Sequence, residues 1–329
     1  MSFKKNKDTF NESSIISTIN EIKSSNDSLL MDNFISEFTP FIKKEVIKFT
    51  KRSFEIENTF EFSVAVLAFK EAIDYYSENQ HLSFLDFSSL LIRKRLLDYV
   101  KFSNGKKTFS ISNFEKKHLH LIEQLHLPEQ NKYHKEYTML YEISIFKKML
   151  KPFKISDENL LKYSPRNDII KHKCFKVAEE ILKNNDLLED ILTKKIYPVS
   201  KLQKITQVKK RDIRYHKGFI VSAVLIFSSK LDTLKGYINN FLDEKFEKTG
   251  VLIAMKENYG IVVTKEFLFL SIPKKPSMAI GQTLEFKSFY LSIIKGVSHD
   301  IVIKVLIIIA ILSMSAAFLF SFLAQLFLV

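Results

Sequence analysis

The side chains best able to do chemistry lie in Leu90–Lys101, LLIRKRLLDYVK, where Arg93, Lys94 and Arg95 follow one another. Such cations neutralise phosphates. The rings of Phe84 and Phe87 just upstream offer faces on which an unstacked base gains about 1–3 kcal/mol. At helical pitch the three cations spread over more than half of the circumference, while Leu90, Leu91, Leu96 and Leu97 face a core. Part of the basic cluster must therefore be exposed. A merely solvated basic face is the plainer alternative, and the aromatic residues upstream weigh against it.

Other chemistries find less support. His118, His120 and His126 are close in sequence, yet no cysteine or carboxylate pair completes a tetrahedral set at the usual spacing, so no metal is expected. The seven glycines form neither a P-loop nor a dinucleotide turn, and no nucleophile sits in an elbow motif. Neither an enzyme nor a cofactor is indicated. The single cysteine, Cys174, excludes an internal disulfide, reads as a small buried apolar residue and points to a reducing compartment.

The 329 residues suffice for two or three compact units. An excess of 50 Lys and Arg over 37 Asp and Glu favours a polyanionic partner, either nucleic acid or anionic lipid. The N-terminal MSFKKNKDTFNESS lacks the apolar stretch of a signal peptide, so the body is expected in the cytoplasm. The tail Val305–Val329, VLIIIAILSMSAAFLFSFLAQLFLV, carries no charge and meets the ~20 residues needed to cross a bilayer. Lys287, Lys295 and Lys304 precede it and no basic residue follows, which places the N-terminal side in the cytoplasm. Ser313, Ser315, Ala316 and Ala317 leave a small-residue face open to helix pairing or to a membrane protease.

Positioning these groups requires a mainly α chain followed by a small β unit and one transmembrane helix. An N-terminal segment, 1–31, precedes a helical domain at 32–102, where Phe34, Phe38, Phe41 and Ile42, then Val64, Leu67, Ala68 and Ala72, recur at helical spacing. Residues 103–136 carry Asn-Gly, Lys runs and Pro128 and read as a linker. A second helical domain, 137–243, has Pro152, Pro165 and Pro198 at its helix boundaries. From 245 to 290 the pattern becomes short strands: GVLIAM, a turn at Glu257–Gly260, IVVT, FLFLSIP, a loop at Lys274–Pro276 and a strand near Thr283–Phe286. The span is placed at 302–329.

The run Glu61–Lys101, with its AFKEAID core and SFLDFSSLLIRKRLLDYV, resembles region two of the sigma-seventy class of RNA polymerase sigma factors, the SigI group above all. The resemblance implies that the first helix docks on the clamp helices of the largest polymerase subunit, here through Phe60, Ser63, Val66 and Lys70. It implies that the second helix reads and opens the minus-ten element, here through Phe84, Phe87, Arg93, Lys94, Arg95, Tyr99 and Lys101. Leu90 and Leu91 stand where many members carry a Trp pair.

The stretch from Tyr163 to Phe227 resembles the SigI C-terminal domain and ends in a helix-turn-helix. Its first helix is expected from about Ser200, its turn at Thr206–Val208 and its recognition helix from about Lys209, anchored by Ile213 and Ile220. The family reads the minus-thirty-five element with this helix. Arg211 and Arg214, one turn apart, are the candidates for bidentate base contacts; Lys209, Lys210 and Lys217 suit phosphates, and His216 completes the set. Gly218 is expected inside this helix at a cost near 1 kcal/mol.

Finally, KTGVLIAMKENYGIVVTKEFLFLSI with GQTLEF resembles the N-terminal cytoplasmic domain of RsgI anti-sigma factors, which a transmembrane helix follows. The order implies a sigma factor fused to its own inhibitor. Its expected partners are core RNA polymerase, promoter DNA, the intramolecular anti-sigma-like domain, the membrane and a membrane protease. It would sit on the cytoplasmic face of the membrane and reach the cytoplasm and nucleoid after release under stress. The alternative is a membrane-bound helix-turn-helix regulator or DNA tether that acts without polymerase.

Overall fold

A computed structural model describes residues 12–25, 27–52, 54–77, 82–104, 132–238 and 249–285, all within one compact unit, Met1–Glu285. The expected span at 302–329 and the linker histidines His118, His120 and His126 lie outside the described residues. Among the described residues no helix is long and apolar enough to cross a membrane.

The first helical body contains α1 (Glu12–Ser25), α2 (Ser28–Thr50), α3 (Phe60–Tyr75) and α4 (Phe84–Asn104). It begins earlier than expected: Ile15, Ile19 and Ile22 give α1 an apolar stripe that packs inward, and Lys23 donates to the Tyr76 carbonyl at 2.7 Å. Polar caps start the other helices. Asp27 accepts from the Leu29 N–H, Thr59 from the Phe62 N–H and Ser83 from the Asp86 N–H, each satisfying a backbone donor that the helix leaves unpaired. The core is aromatic, with the rings of Phe34, Phe38 and Phe84 gathered around Phe69.

The second body comprises α5 (His134–Leu150), a 3-10 turn (Lys151–Phe153), α6 (Asp157–Tyr163), α7 (Asp168–Lys183), α8 (Asn185–Leu192), α9 (Val199–Thr206), α10 (Lys210–Tyr215), α11 (Lys217–Ser228) and α12 (Asp232–Tyr237). Helix α11 is buried from Gly218 to Ile226, which explains its unbroken apolar sequence. The Glu142 carboxylate accepts the Thr233 and Leu234 N–H groups at 3.0 and 2.7 Å, so α5 fastens the start of α12.

Helix α5 also closes the second body onto the first. Tyr137 donates to Glu71 at 2.9 Å, Tyr133 donates to Asp74, and Lys148 reaches Ser103 Oγ at 2.8 Å. The Tyr141 ring lies 4.6 Å from Phe102 and 5.8 Å from Tyr99.

The β unit is a four-stranded antiparallel sheet in the order β3-β2-β1-β4, formed by β1 (Thr249–Met255), β2 (Tyr259–Thr264), β3 (Phe269–Pro273) and β4 (Thr283–Glu285). A register shift between Leu252 and Ala254 bends β1. Antiparallel sheets with one wet face alternate apolar and polar residues; here Val251–Met255 and Gly260–Thr264 are buried without alternation. Both faces are covered because the sheet is packed into the helical body.

Candidate nucleic-acid interface

Thr206 shapes the turn between α9 and α10. Its buried hydroxyl donates to the Leu202 carbonyl at 2.7 Å and accepts the Val208 N–H at 3.3 Å, while Gln207 takes a left-handed conformation with φ 60°. Ile213 is fully buried and anchors α10. On its outer face Lys209, Lys210, Arg211 and Arg214 are exposed, the Arg211 side chain at 88%. These four expected DNA-facing residues thus share one open surface.

Two others do not. His216 is buried with Nδ1 2.6 Å from the Tyr163 carbonyl, so it ties α10 to α6 and faces inward. The helix breaks at that residue, so Lys217 opens α11 and is half-buried, its ammonium 5.7 Å from the centre of the Tyr197 ring. Gly218 consequently lies in the first turn of α11, against Ile155, instead of inside the recognition helix.

Sequence reading missed two neighbours. Lys154, left-handed at φ 55°, and Tyr215, 53% exposed, join Arg211, Arg214, Lys217 and Tyr163 around an open groove of about 640 Å³. Among the described residues no carboxylate lines it. Cations beside two tyrosines suit a polyanion with planar bases. Tyr215 adjoins Arg214 and was open to notice; Lys154 comes from a turn far away in sequence and was not.

The basic helix α4 departs further from expectation. Phe84, Phe87 and Tyr99 are 0%, 2% and 6% exposed, so their rings belong to the core and offer no stacking face in this arrangement. Arg93 pairs with the buried carboxylate of Glu45 at 3.1 Å, and Arg95 with that of Glu71 at 2.5 Å. Burial works against the charge on Arg95, but the hydrogen bond and charge of Glu71 outweigh it and raise its pKa. Lys94, half-buried, and Lys101, exposed, are the cations of the expected set that remain open to solvent.

The expected polymerase-facing helix α3 is enclosed as well. Ser63 and Val66 are fully buried, and Phe60 and Lys70 are half-buried. Burial lowers the Lys70 pKa to about 8, countered only in part by Asp32, Glu136 and Asp74. Helices α2, α4 and α5 and the 3-10 turn Ile56–Asn58 surround α3.

The β unit grips both helical bodies. Phe267, in the turn between β2 and β3, is wholly buried, 5.0 Å from the Phe219 ring and 6.1 Å from Phe175. Its φ of 59° is unusual for a bulky residue and is held by packing on the second body. That conformation also shortens the expected strand FLFLSIP, so β3 begins only at Phe269. The Phe269 N–H donates to Ser164 Oγ at 3.3 Å, and Lys256 pairs with Glu158 and, at 3.6 Å, with Asp157. The hydrogen bond from Lys256 holds Glu158 down to a pKa of about 2. On the first body, Lys274 bonds Glu57 at 3.0 Å beside Lys43, and Lys275 and Ser277 meet Asp32.

Among the described residues no group of three or more His, Cys, Asp and Glu could hold a metal ion. Cys174 is buried, which pushes its thiol up to about 12 and leaves it a poor nucleophile.

Comparison with known proteins agrees with this division. Residues 247–287 match the family described as "Anti-sigma factor N-terminus", RsgI. The RNA polymerase sigma factor SigI2 of Acetivibrio thermocellus is 34% identical over 237 residues, 71% of this chain and 88% of that protein. SigI6 of the same organism is 36% identical over 224 residues, 68% and 88% of the two chains. SigI of Bacillus subtilis is 29% identical over 223 residues, 65% and 87%. With α10 presenting its basic face and an anti-sigma module packed on the same helical body, these identities show that the chain belongs to the SigI family of RNA polymerase sigma factors.

Proposed function

We propose that the chain is a membrane-tethered alternative sigma factor whose own β unit holds it closed, and that release lets it guide core RNA polymerase to particular promoters. The burial of Phe267 against Phe175 and Phe219 carries this reading, because it seats the anti-sigma module on the DNA-reading body. The β unit is covalently attached, so its effective concentration is in the millimolar range and a modest contact suffices. The helix that must meet the polymerase clamp, α3, is enclosed by α2, α4, α5 and the 3-10 turn, and the β unit fastens two of these, α2 at Asp32 and the turn at Glu57. Loosening of that enclosure must therefore precede docking on polymerase. In the open state α10 reads the minus-thirty-five element through Arg211 and Arg214, while Lys94 and Lys101 hold the backbone near the minus-ten element.

The uncharged tail 305–329 supports attachment to the cytoplasmic face of the membrane, with cleavage near it or displacement of the β unit as the route to release. The role is regulatory and requires no cofactor.

Run-off transcription with core polymerase tests the proposal on templates from the chain's own operon. A protein ending at Asp243 should yield specific transcripts and the full chain few. Absence of any transcript from the shortened protein would sink the sigma reading.

A further inference from the structure

The surfaces used by the β unit and by the nucleic-acid groove do not overlap. The β unit touches Asp32 and Glu57 on the first body and Asp157, Glu158, Ser164, Phe175 and Phe219 on the second. None of these lines the groove formed by Lys154, Arg211, Arg214, Tyr215 and their neighbours. In the closed chain α10 stays exposed, while α3 is enclosed by α2, α4, α5 and the 3-10 turn, of which the β unit ties down α2 through Asp32 and the turn through Glu57. We infer that the restrained chain binds its promoter through the open groove while it is unable to take polymerase. Restraint then acts on polymerase capture, and the resting protein waits on DNA.

Electrostatics strengthens the inference. Asp157 and Glu158 start α6, the helix whose Asn159 and Tyr163 line the groove, so their charge acts on the same helix that faces a phosphate chain there. In the closed chain Lys256 of the β unit pairs with both. Lys147 also holds Asp157, at 3.0 Å, but Glu158 would lose its partner on opening. Closing therefore neutralises acidic charge on the helix that lines the groove and adds a lysine to that helix's first turn. The closed chain should hold DNA at least as tightly as the open one, with a steeper dependence on salt.

The inference rests on the sigma-factor reading, and the experiment separates the two. Full-length protein in phosphatidylcholine nanodiscs is offered a pool of duplexes with randomised cores, alongside two openers of unchanged charge, Phe267→Gly and Gly281→Val. The openers act on different contacts, so a folding failure in one leaves the other to report. All three proteins should enrich the same sequence, with the parent binding it as tightly as the openers or up to about threefold more tightly. Core polymerase should bind the openers about tenfold or more better than the parent, as expected when the competent state is a minor one. Arg211→Ala with Arg214→Ala should abolish enrichment by the closed chain. Enrichment by the openers alone would overturn the inference, since the β unit would then mask the reading face. Equal capture of polymerase by parent and openers would overturn it from the other side. Failure of every protein to enrich a sequence would remove the helix-turn-helix reading itself.

Discussion

Arg95 donates through Nε and Nη2 to the two oxygens of Glu71, at 2.9 and 2.5 Å, and the carboxylate it meets is fully buried. Tyr137 donates to the same carboxylate at 2.9 Å, so Glu71 joins α3, α4 and α5. The arginine is thereby committed to the fold. Arg95→Ala should cost about 3–5 kcal/mol in urea unfolding, because it strands a buried charge. Arg95→Met with Glu71→Met should recover most of that loss. Lys94→Ala, in contrast, should leave the unfolding free energy within about 0.5 kcal/mol of the parent and weaken DNA binding. Equal destabilisation by Arg95→Ala and Lys94→Ala would show that the pair does not organise the core.

Lys70 makes folding stability sensitive to pH. Its pKa is lowered from 10.5 to about 8, so between these values the folded chain binds fewer protons than the unfolded chain, and this group's contribution to stability improves as pH rises. Below about pH 8 a charged ammonium is held against burial, with Asp32, Asp74 and Glu136 as partial compensation. Lys70→Met should therefore melt higher than the parent at pH 7, and the gap should close by about pH 10.5. Melting curves across that range measure it. A gap that does not change with pH would place the amine in solvent.

Gly281 brings the backbone of the β unit against α5. Its φ is +94°, and a Cβ placed there would lie 2.6 Å from the Glu136 carbonyl oxygen and 2.7 Å from the Leu140 nitrogen. Backbone cannot give way as a flexible side chain does. Gly281→Ala should loosen this contact by about 1–3 kcal/mol and raise transcription by the full chain. Protease sensitivity of the β unit measures the loosening, and unchanged sensitivity and transcription would show that α5 does not hold it.

Much of this fold is written locally. The apolar spacing of α2 and α3 and the break of pattern at Thr249 locate both the helical bodies and the β unit, and the Thr206–Val208 turn is legible because a buried threonine there suits a helix end. What sequence did not reveal is which way the charges of α4 face. Arg93 and Arg95 are as basic as Lys94, and only the return of Glu45 and Glu71 from distant helices turns them inward. The same holds for Phe84 and Phe87: an aromatic ring suits a base or a core equally, and the choice was made by Phe34, Phe69 and Tyr76. Phe267 read as a strand residue because its left-handed backbone comes from docking, not from local preference.

The recognition face separates positioning from reading. Arg211→Ala or Arg214→Ala should each cost about 1–3 kcal/mol of promoter binding and relax preference at particular bases. Lys209→Ala should weaken all sequences evenly and reduce the salt slope by about one. Competition binding on single-base variants of the site distinguishes these patterns. Uniform, sequence-independent losses at all three positions would mean that α10 only grips phosphates.

The tail decides whether location adds to the restraint. A stop codon at Ile301 removes the uncharged stretch and keeps the β unit, whereas truncation after Asp243 removes both. If contact is the restraint, the first should move the protein to the cytosol without activating it and the second should activate it. Full activation by the stop at Ile301 would assign the restraint to the membrane. Ile309→Arg should partly mimic that stop, since an arginine at a bilayer centre costs about 2.5–3.5 kcal/mol on insertion scales. Fractionation and transcript levels at equal abundance read out all three forms. If none exceeds the parent in activity, the β unit is not an inhibitor, and the tail serves only to place a working sigma factor beside the membrane.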